Sequence, residues 1–200
     1  MSSTSPSPGR RLILASGSPY RRQLLDRLQL HYEVVVPGVD ETPEPGESCA
    51  DLARRLAADT ARAVAATHPG TLVIGSDQVA DLDGQPLGKP GNRERAAEQL
   101  RRVSGCQVVF HTGLCLIDGA DGSEQLEVDP FVVAFRPLTA EQIGRYLDRE
   151  QPYDCAGGFK AEGLGITLFE RLQGDDPNSL IGLPLIRLCR MLARVGIEQP

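Results

Sequence analysis

Apolar positions along the chain fall into short continuous runs separated by stretches of helical spacing, and this alternation points to a fold class before any single residue is weighed. "LILA", Leu12 to Ala15, is a buried-strand run, and Ser18 followed by Pro19 is a helix start, with serine as N-cap and proline at the first helical position. Leu24, Leu25 and Leu28 then form the buried stripe of that helix. "YEVVVP" predicts a second strand, and the acidic, proline-rich "DETPEPGE" predicts a loop. The loop ends at Ser48, a second N-cap with Asp51 three residues on, from which Leu52, Leu56 and a run of alanines carry a helix to about Thr67.

"TLVIGSDQVADLDGQPLGKP" predicts a strand that turns at Asp83-Gly84 and returns toward Lys89 as a hairpin. Asn92 caps the next helix, and "QVVFHTGLCLID" and "LEVDPFVVAF" flank "GADG" as two long antiparallel strands. Thr139 with Gln142 has the capping-box pattern for a helix through about Arg149. After the glycine-rich "CAGGFKAEGLGITLFERL", Asp176-Pro177 is expected to open a final helix containing Leu180, Leu183, Leu188 and Leu192. Strands alternating with helices indicate α/β, and the hairpins argue against an all-parallel sheet, so a mixed sheet is expected. No internal repeat or biased linker divides the chain, which predicts one domain with a cleft over residues 11–200. Residues 1–10, "MSSTSPSPGR", are serine- and proline-rich and are expected to be a disordered tail.

Composition narrows the partners. A chain of 200 residues with 40% hydrophobic content can bury ~70% of its unfolded surface without staples. Cys49, Cys106, Cys115, Cys155 and Cys189 are odd in number and contain no C-x-x-C, which predicts reduced, mostly buried thiols in a cytosolic protein rather than a disulfide framework or zinc site. His31, His68 and His111 are isolated from one another and read as surface or structural residues. A formal net charge of -6 argues against nucleic-acid binding, and no run approaches the ~18 apolar residues of a membrane span. Any polyanion must therefore meet a local basic site.

Such a site can be assembled from the chain. At the strand-to-helix junction, Ser16 and Ser18 add hydroxyls to outward-facing backbone N–H groups, and Arg21 and Arg22 add fixed charge. The P-loop pattern G-x-x-x-x-G-K-[ST] is absent, so this is not a P-loop ATPase. Lys89, one of only two lysines, sits in a rigid "GKP". Carboxylates occur at Asp40-Glu41 and at Asp77, which follows a buried run and therefore needs water or a partner. Both signs of charge suit a polyphosphate, with carboxylates holding a hard divalent ion or orienting water.

The succession "LASGSPYRRQLL", "VDETP", "IGSDQV", "GKP", "HTG", "CAGGFKAEGLG" and "LFERLQGDDPNSLIGLPL" resembles the Maf family of nucleoside triphosphate pyrophosphatases from about Leu12 to Leu192. The resemblance implies an elongated two-lobed α/β fold, like that of inosine triphosphate pyrophosphatases, whose cleft accepts a nucleotide and releases pyrophosphate with a divalent cation, Mg²⁺ or Mn²⁺. It implies phosphate contacts at Ser16, Ser18, Arg21 and Arg22, a further basic contact at Lys89, and the catalytic carboxylate at Asp77, assigned as general base for the attacking water with a metal-ligand role as the competing reading, supported by Glu41 near the metal. It is compatible with a homodimer and implies no nucleic-acid or membrane partner.

Three positions, Tyr20, Gln78 and Glu162, resemble the branch acting on 7-methyl-GTP rather than the dTTP/UTP branch. N7 methylation makes guanine cationic, so the Tyr20 face can stack on it with ~0.5–2 kcal/mol of cation–π attraction. Glu162 can accept from guanine N1–H and N2–H₂, and Gln78 is expected to donate to O6. One departure stands out: the family usually carries a lysine where this chain has Thr60, and Arg62 lies two residues away, off the same helix face. This predicts weaker phosphate affinity or activity, with a catalytically weakened nucleotide-binding regulatory protein as the alternative from another class.

Overall fold

The computed structural model describes residues 10–200, so the tail expected over residues 1–10 lies outside the described residues except for Arg10, which pairs with Asp118. One seven-stranded mixed sheet organises the chain, in the order β2-β1-β3-β5-β6-β7 with β4 paired to β3. The strands are β1 (Leu12–Ala15), β2 (Glu33–Val34), β3 (Leu72–Leu82), β4 (Gln85–Leu87), β5 (Gln107–Asp118), β6 (Glu124–Phe135) and β7 (Phe169–Gln173). Helices α1 (Pro19–Asp26), α2 (Cys49–Ala65), α3 (Arg93–Val103), α4 (Ala140–Glu150) and α5 (Leu185–Arg194) flank it. β1 runs parallel to β2 and β3, and every later pairing is antiparallel.

The helix starts follow the sequence. Ser18, Ser48, Asn92 and Thr139 each accept a backbone N–H at the third helical residue, and Thr139 with Gln142 closes a full capping box. Three expectations require correction. The strand from "YEVVVP" shrinks to Glu33–Val34, which lies at the sheet edge, and Val36 beyond it is 66% exposed. Phe169–Gln173 within the glycine-rich segment is a seventh strand, paired to β6 across a bulge at Ala134/Phe135. The last helix does not begin at Asp176-Pro177: a short 3₁₀ turn, Ser179–Ile181, ends at Gly182 with φ +117°, and α5 starts only after Pro184. Asp176 instead accepts the backbone N–H groups of Asn178 and Ile186, tying the turn to the helix.

The thiols are free but less buried than expected: Cys49 and Cys115 are buried, whereas Cys106, Cys155 and Cys189 are half-buried. Among the described residues no helix is long and apolar enough to cross a membrane.

The two halves of β3 have different neighbours on one edge. Leu72 to Gly75 pair with β1, and pairing to β4 begins only at Ala80, so Ser76, Asp77, Gln78 and Val79 have no strand beside them on that side. The apolar core divides accordingly, with Leu12, Leu24, Leu72, Leu114 and Leu188 at one end and Leu87, Leu100, Phe110, Phe135 and Leu147 at the other. A cleft opens where the sheet edge changes hands, the kind of position at which α/β sheets bind ligands.

Candidate active site

The cleft has a volume of about 860 Å³ and is lined by the β1–α1 junction, the middle of β3, the "GKP" loop and the Asp154–Glu162 segment. Ser18 caps α1, its Oγ accepting from the Arg21 N–H at 3.3 Å. Ser16, only 5% exposed, accepts at Oγ from the Ser18 N–H at 3.2 Å and from Arg21 Nη1 at 3.4 Å. With both lone pairs engaged, the Ser16 hydroxyl hydrogen remains to donate to a ligand oxygen.

Arg21 is held from both ends. Its Nε donates to the Gly182 carbonyl at 2.9 Å, and the same carbonyl accepts from the buried Ser76 hydroxyl at 3.0 Å. Its Nη2 lies 3.5 Å from Asp77 Oδ1. Burial pushes the Asp77 carboxyl above the usual carboxylate range, opposed by the Arg21 charge and reinforced by Glu41, with Lys89 pulling it down a little. Asp77 thus lies within electrostatic reach of Arg21, Glu41 and Lys89, all of which line the cleft.

Tyr20 meets the Asp154–Glu162 segment on the cleft wall. Cys155 Sγ donates to the Tyr20 hydroxyl at 3.9 Å, and burial pushes the Cys155 thiol up to about 12, so it stays protonated. Burial likewise raises the Tyr20 phenol, with Cys155, Asp154 and Glu162 adding to the shift. Tyr20, Gln78 and Glu162 all line the cleft.

Two residues stand differently from the expectation. Arg22 is exposed and does not line the cleft; its carbonyl accepts from Tyr32. Gln78 reaches the cleft, but Nε2 already serves the carbonyls of Ser179 at 2.6 Å and Leu180 at 3.2 Å, so its amide hydrogens are spent and donation to a base O6 is not available in this arrangement. Thr60 does line the cleft, 8% exposed, while Arg62 is exposed and bonds Glu124 through two nitrogens at 2.9 Å each. Arg62 therefore does not stand in for the missing lysine charge. Sequence reasoning missed Gly182, whose carbonyl orients Arg21, and Ser76, whose hydroxyl reaches that carbonyl and the Gly113 carbonyl; the only signal was a hydroxyl at the end of an apolar run and a glycine after "SLI".

Fold and site together define an α/β protein with a divided sheet edge and a cleft that offers an anchored arginine and a lysine beside a desolvated carboxylate, which is the equipment of an enzyme acting on a phosphorylated ligand. The chain belongs to the Maf family: the Maf-like protein family matches residues 11–195. It is 56% identical over 196 residues to a 7-methyl-GTP pyrophosphatase of Nitrosococcus oceani, covering 98% of each chain. It is 55% identical over 188 residues to a 7-methyl-GTP pyrophosphatase of Bordetella pertussis, covering 94% of each. A HAM1 protein from Coxiella burnetii has the same fold, with a TM-score of 0.51 at 14% identity over 93% of this chain and 100% of that one.

Proposed function

We propose that the chain hydrolyses 7-methyl-GTP to 7-methyl-GMP and pyrophosphate, removing a modified nucleotide. The observation that carries this reading is that one cleft gathers Arg21, 3.5 Å from Asp77, with Ser16, Ser18 and Lys89 and also with Tyr20 and Glu162. The two full-length relatives of that name support the choice of nucleotide. Asp77 takes a proton from water as the water oxygen bonds to the α-phosphorus, and the bond to the β-phosphate oxygen breaks, releasing pyrophosphate. Ser16, Ser18, Arg21 and Lys89 hold the departing phosphates, and the aromatic face of Tyr20 and the carboxylate of Glu162 suit the cationic, donor-bearing edge of 7-methylguanine.

The residues present fit a divalent ion. Glu41 offers a hard oxygen donor, and Asp77 a second one in the competing reading in which it is ligand rather than base, whereas no group of three or more His, Cys, Asp or Glu forms a closed metal cage among the described residues. That suits Mg²⁺ or Mn²⁺, which bind through one or two carboxylates and complete their shell with water and substrate phosphate. Charge balance supports the same conclusion: Arg21 and Lys89 against Asp77 and Glu41 leave no surplus to offset a triphosphate. The bound ion would supply that charge and polarise the phosphate oxygens.

The test is pyrophosphate release across 7-methyl-GTP, GTP, UTP and dTTP, with Mg²⁺, with Mn²⁺ and with chelator. Preference for 7-methyl-GTP that disappears with chelator is expected. Preference for UTP or dTTP would assign the chain to a pyrimidine pyrophosphatase, and no release at saturation would mark a binding protein.

A further inference from the structure

Gln78 stands opposite Thr112, and Thr112 opposite Asp129, so three adjacent strands place one polar rung across a sheet face that elsewhere carries Ile74, Leu114 and Leu116. The Ser179 turn lies over this rung. Ser179 Oγ donates to the Asp129 carboxylate, while its main-chain carbonyl accepts from Gln78 Nε2 at 2.6 Å and from the Thr112 hydroxyl at 2.9 Å. Gln78 Nε2 also lies 3.0 Å from Thr112 Oγ1. Arg187 closes the far end, its Nε 2.5 Å from Asp129 Oδ1. Thr112 and Ser179 are fully buried and Asp129 nearly so.

Main-chain carbonyls only accept hydrogen bonds, so turning the Gln78 amide over would set its oxygen against two others in a water-poor site. The amide is therefore fixed, and Oε1 is the polar atom that Gln78 has left for a ligand in the cleft. We propose that Thr112, Ser179 and Asp129 are positioning residues that lock Gln78 as a hydrogen-bond acceptor toward the nucleotide, so that it selects a base edge carrying N–H donors, such as guanine N1–H and N2–H₂. The proposal deepens the assigned function, resting on it only for which base is preferred. A row of acceptors formed by Gln78 and Glu162 matches guanine's adjacent donors and gives uracil, with its single N–H, less to bind.

The Thr112 hydroxyl ties the Gln78 nitrogen and the Ser179 carbonyl together, so Thr112→Val, which keeps the shape, loosens both ties and Thr112→Ser restores them. In Thr112→Val, kcat/KM for 7-methyl-GTP relative to UTP is expected to fall about five- to tenfold, with the ratio recovered in Thr112→Ser. Side-chain amide exchange by NMR, with Gln78 assigned by its loss in Gln78→Leu, gives a readout that does not require turnover. Protected Gln78 amide hydrogens in the ligand-free wild-type protein that become fast-exchanging in Thr112→Val support the lock. An unchanged substrate ratio in Thr112→Val, or solvent-rate exchange in the wild type, overturns it. A wild-type preference for UTP would overturn the assigned substrate alone, because the shift of the ratio and the exchange measurement would still decide the proposal.

Discussion

Arg21 Nη2 lies 3.5 Å from Asp77 Oδ1 in a cleft that half-buries both side chains. The pair sets two opposing influences on one carboxyl: desolvation raises its pKa and the guanidinium lowers it, with desolvation the larger. A carboxylate so placed keeps more basicity than a free aspartate while its position stays fixed by a cation that is itself anchored to the Gly182 carbonyl.

Asp77→Asn is expected to lower kcat by ~10²–10⁴ with a smaller effect on KM, as loss of a general base does. The acid limb of the wild-type kcat/KM profile should lie above the usual aspartate range. Because Arg21 favours the charged form and Glu41 disfavours it, Arg21→Gln should move that limb to higher pH and Glu41→Gln to lower pH. Shifts in the opposite directions, or a profile indifferent to both variants, would remove Asp77 from the role of base.

Arg21→Lys keeps the charge but not the fork. The lysine cannot bond the Gly182 carbonyl and reach Ser16 and Asp77 from one planar group, as Arg21 does. A loss of about tenfold or more in kcat/KM is expected, on the scale of one or two hydrogen bonds to a charged group. Wild-type kinetics would show that charge alone suffices at this position.

Tyr20→Arg combined with Glu162→Gln should erode selectivity for the methylated purine. Arginine replaces an attractive aromatic face with a like charge, and the neutral amide accepts more weakly than the carboxylate. Comparing kcat/KM for 7-methyl-GTP, GTP, UTP and dTTP reads the effect; an unchanged substrate order would detach base choice from these residues.

How far the sequence carried depends on how local each feature is. Ser18-Pro19, Ser48, Asn92 and the Thr139/Gln142 box are caps set by a few neighbouring residues, and all four form as expected. The last helix was misplaced because Asp176-Pro177 looks like a helix start, yet Asp176 spends its carboxylate on a turn that Gly182 then breaks. β7 was missed because "FERLQ" is mostly exposed and owes its extension to pairing with β6, a tertiary cause. At the candidate site, the structure brings Ser16, Arg21, Asp77 and Lys89, picked out by their place on junctions and rigid turns, into one cleft. The direction of the Gln78 amide was not, since it is dictated by carbonyls about a hundred residues away in sequence.

Thr60→Lys tests the departure from the family pattern. Thr60 lines the cleft and Arg62 is committed to Glu124, so the variant adds a cation that α2 does not otherwise bring to the cleft. A several-fold lower KM for the triphosphate substrate is expected at modest change in kcat, on the order of 1 kcal/mol for one partly screened cation. An unchanged KM would mean that this chain meets the triphosphate without a cation on α2.

Gly113→Ala tests the packing that holds α2 against the sheet. A Cβ at Gly113 would stand 2.1 Å from the Ala53 carbonyl oxygen, and at Gly75 2.3 Å from that of Ala57, so both glycines let β3 and β5 approach the α2 backbone directly. The obstructing atoms are main chain and cannot rotate away, which makes the cost that of overpacking, ~1–3 kcal/mol. For a domain of this size each kcal/mol lowers Tm by about 2–4 °C, so Gly113→Ala should melt clearly below the wild type. The control is Gly38→Ala, where an added Cβ meets nothing within 4 Å and the backbone is not in the left-handed region. That variant should hold or slightly raise Tm through its less flexible unfolded chain. Equal melting of the two variants in thermal denaturation followed by circular dichroism would refute the close-approach explanation for Gly113.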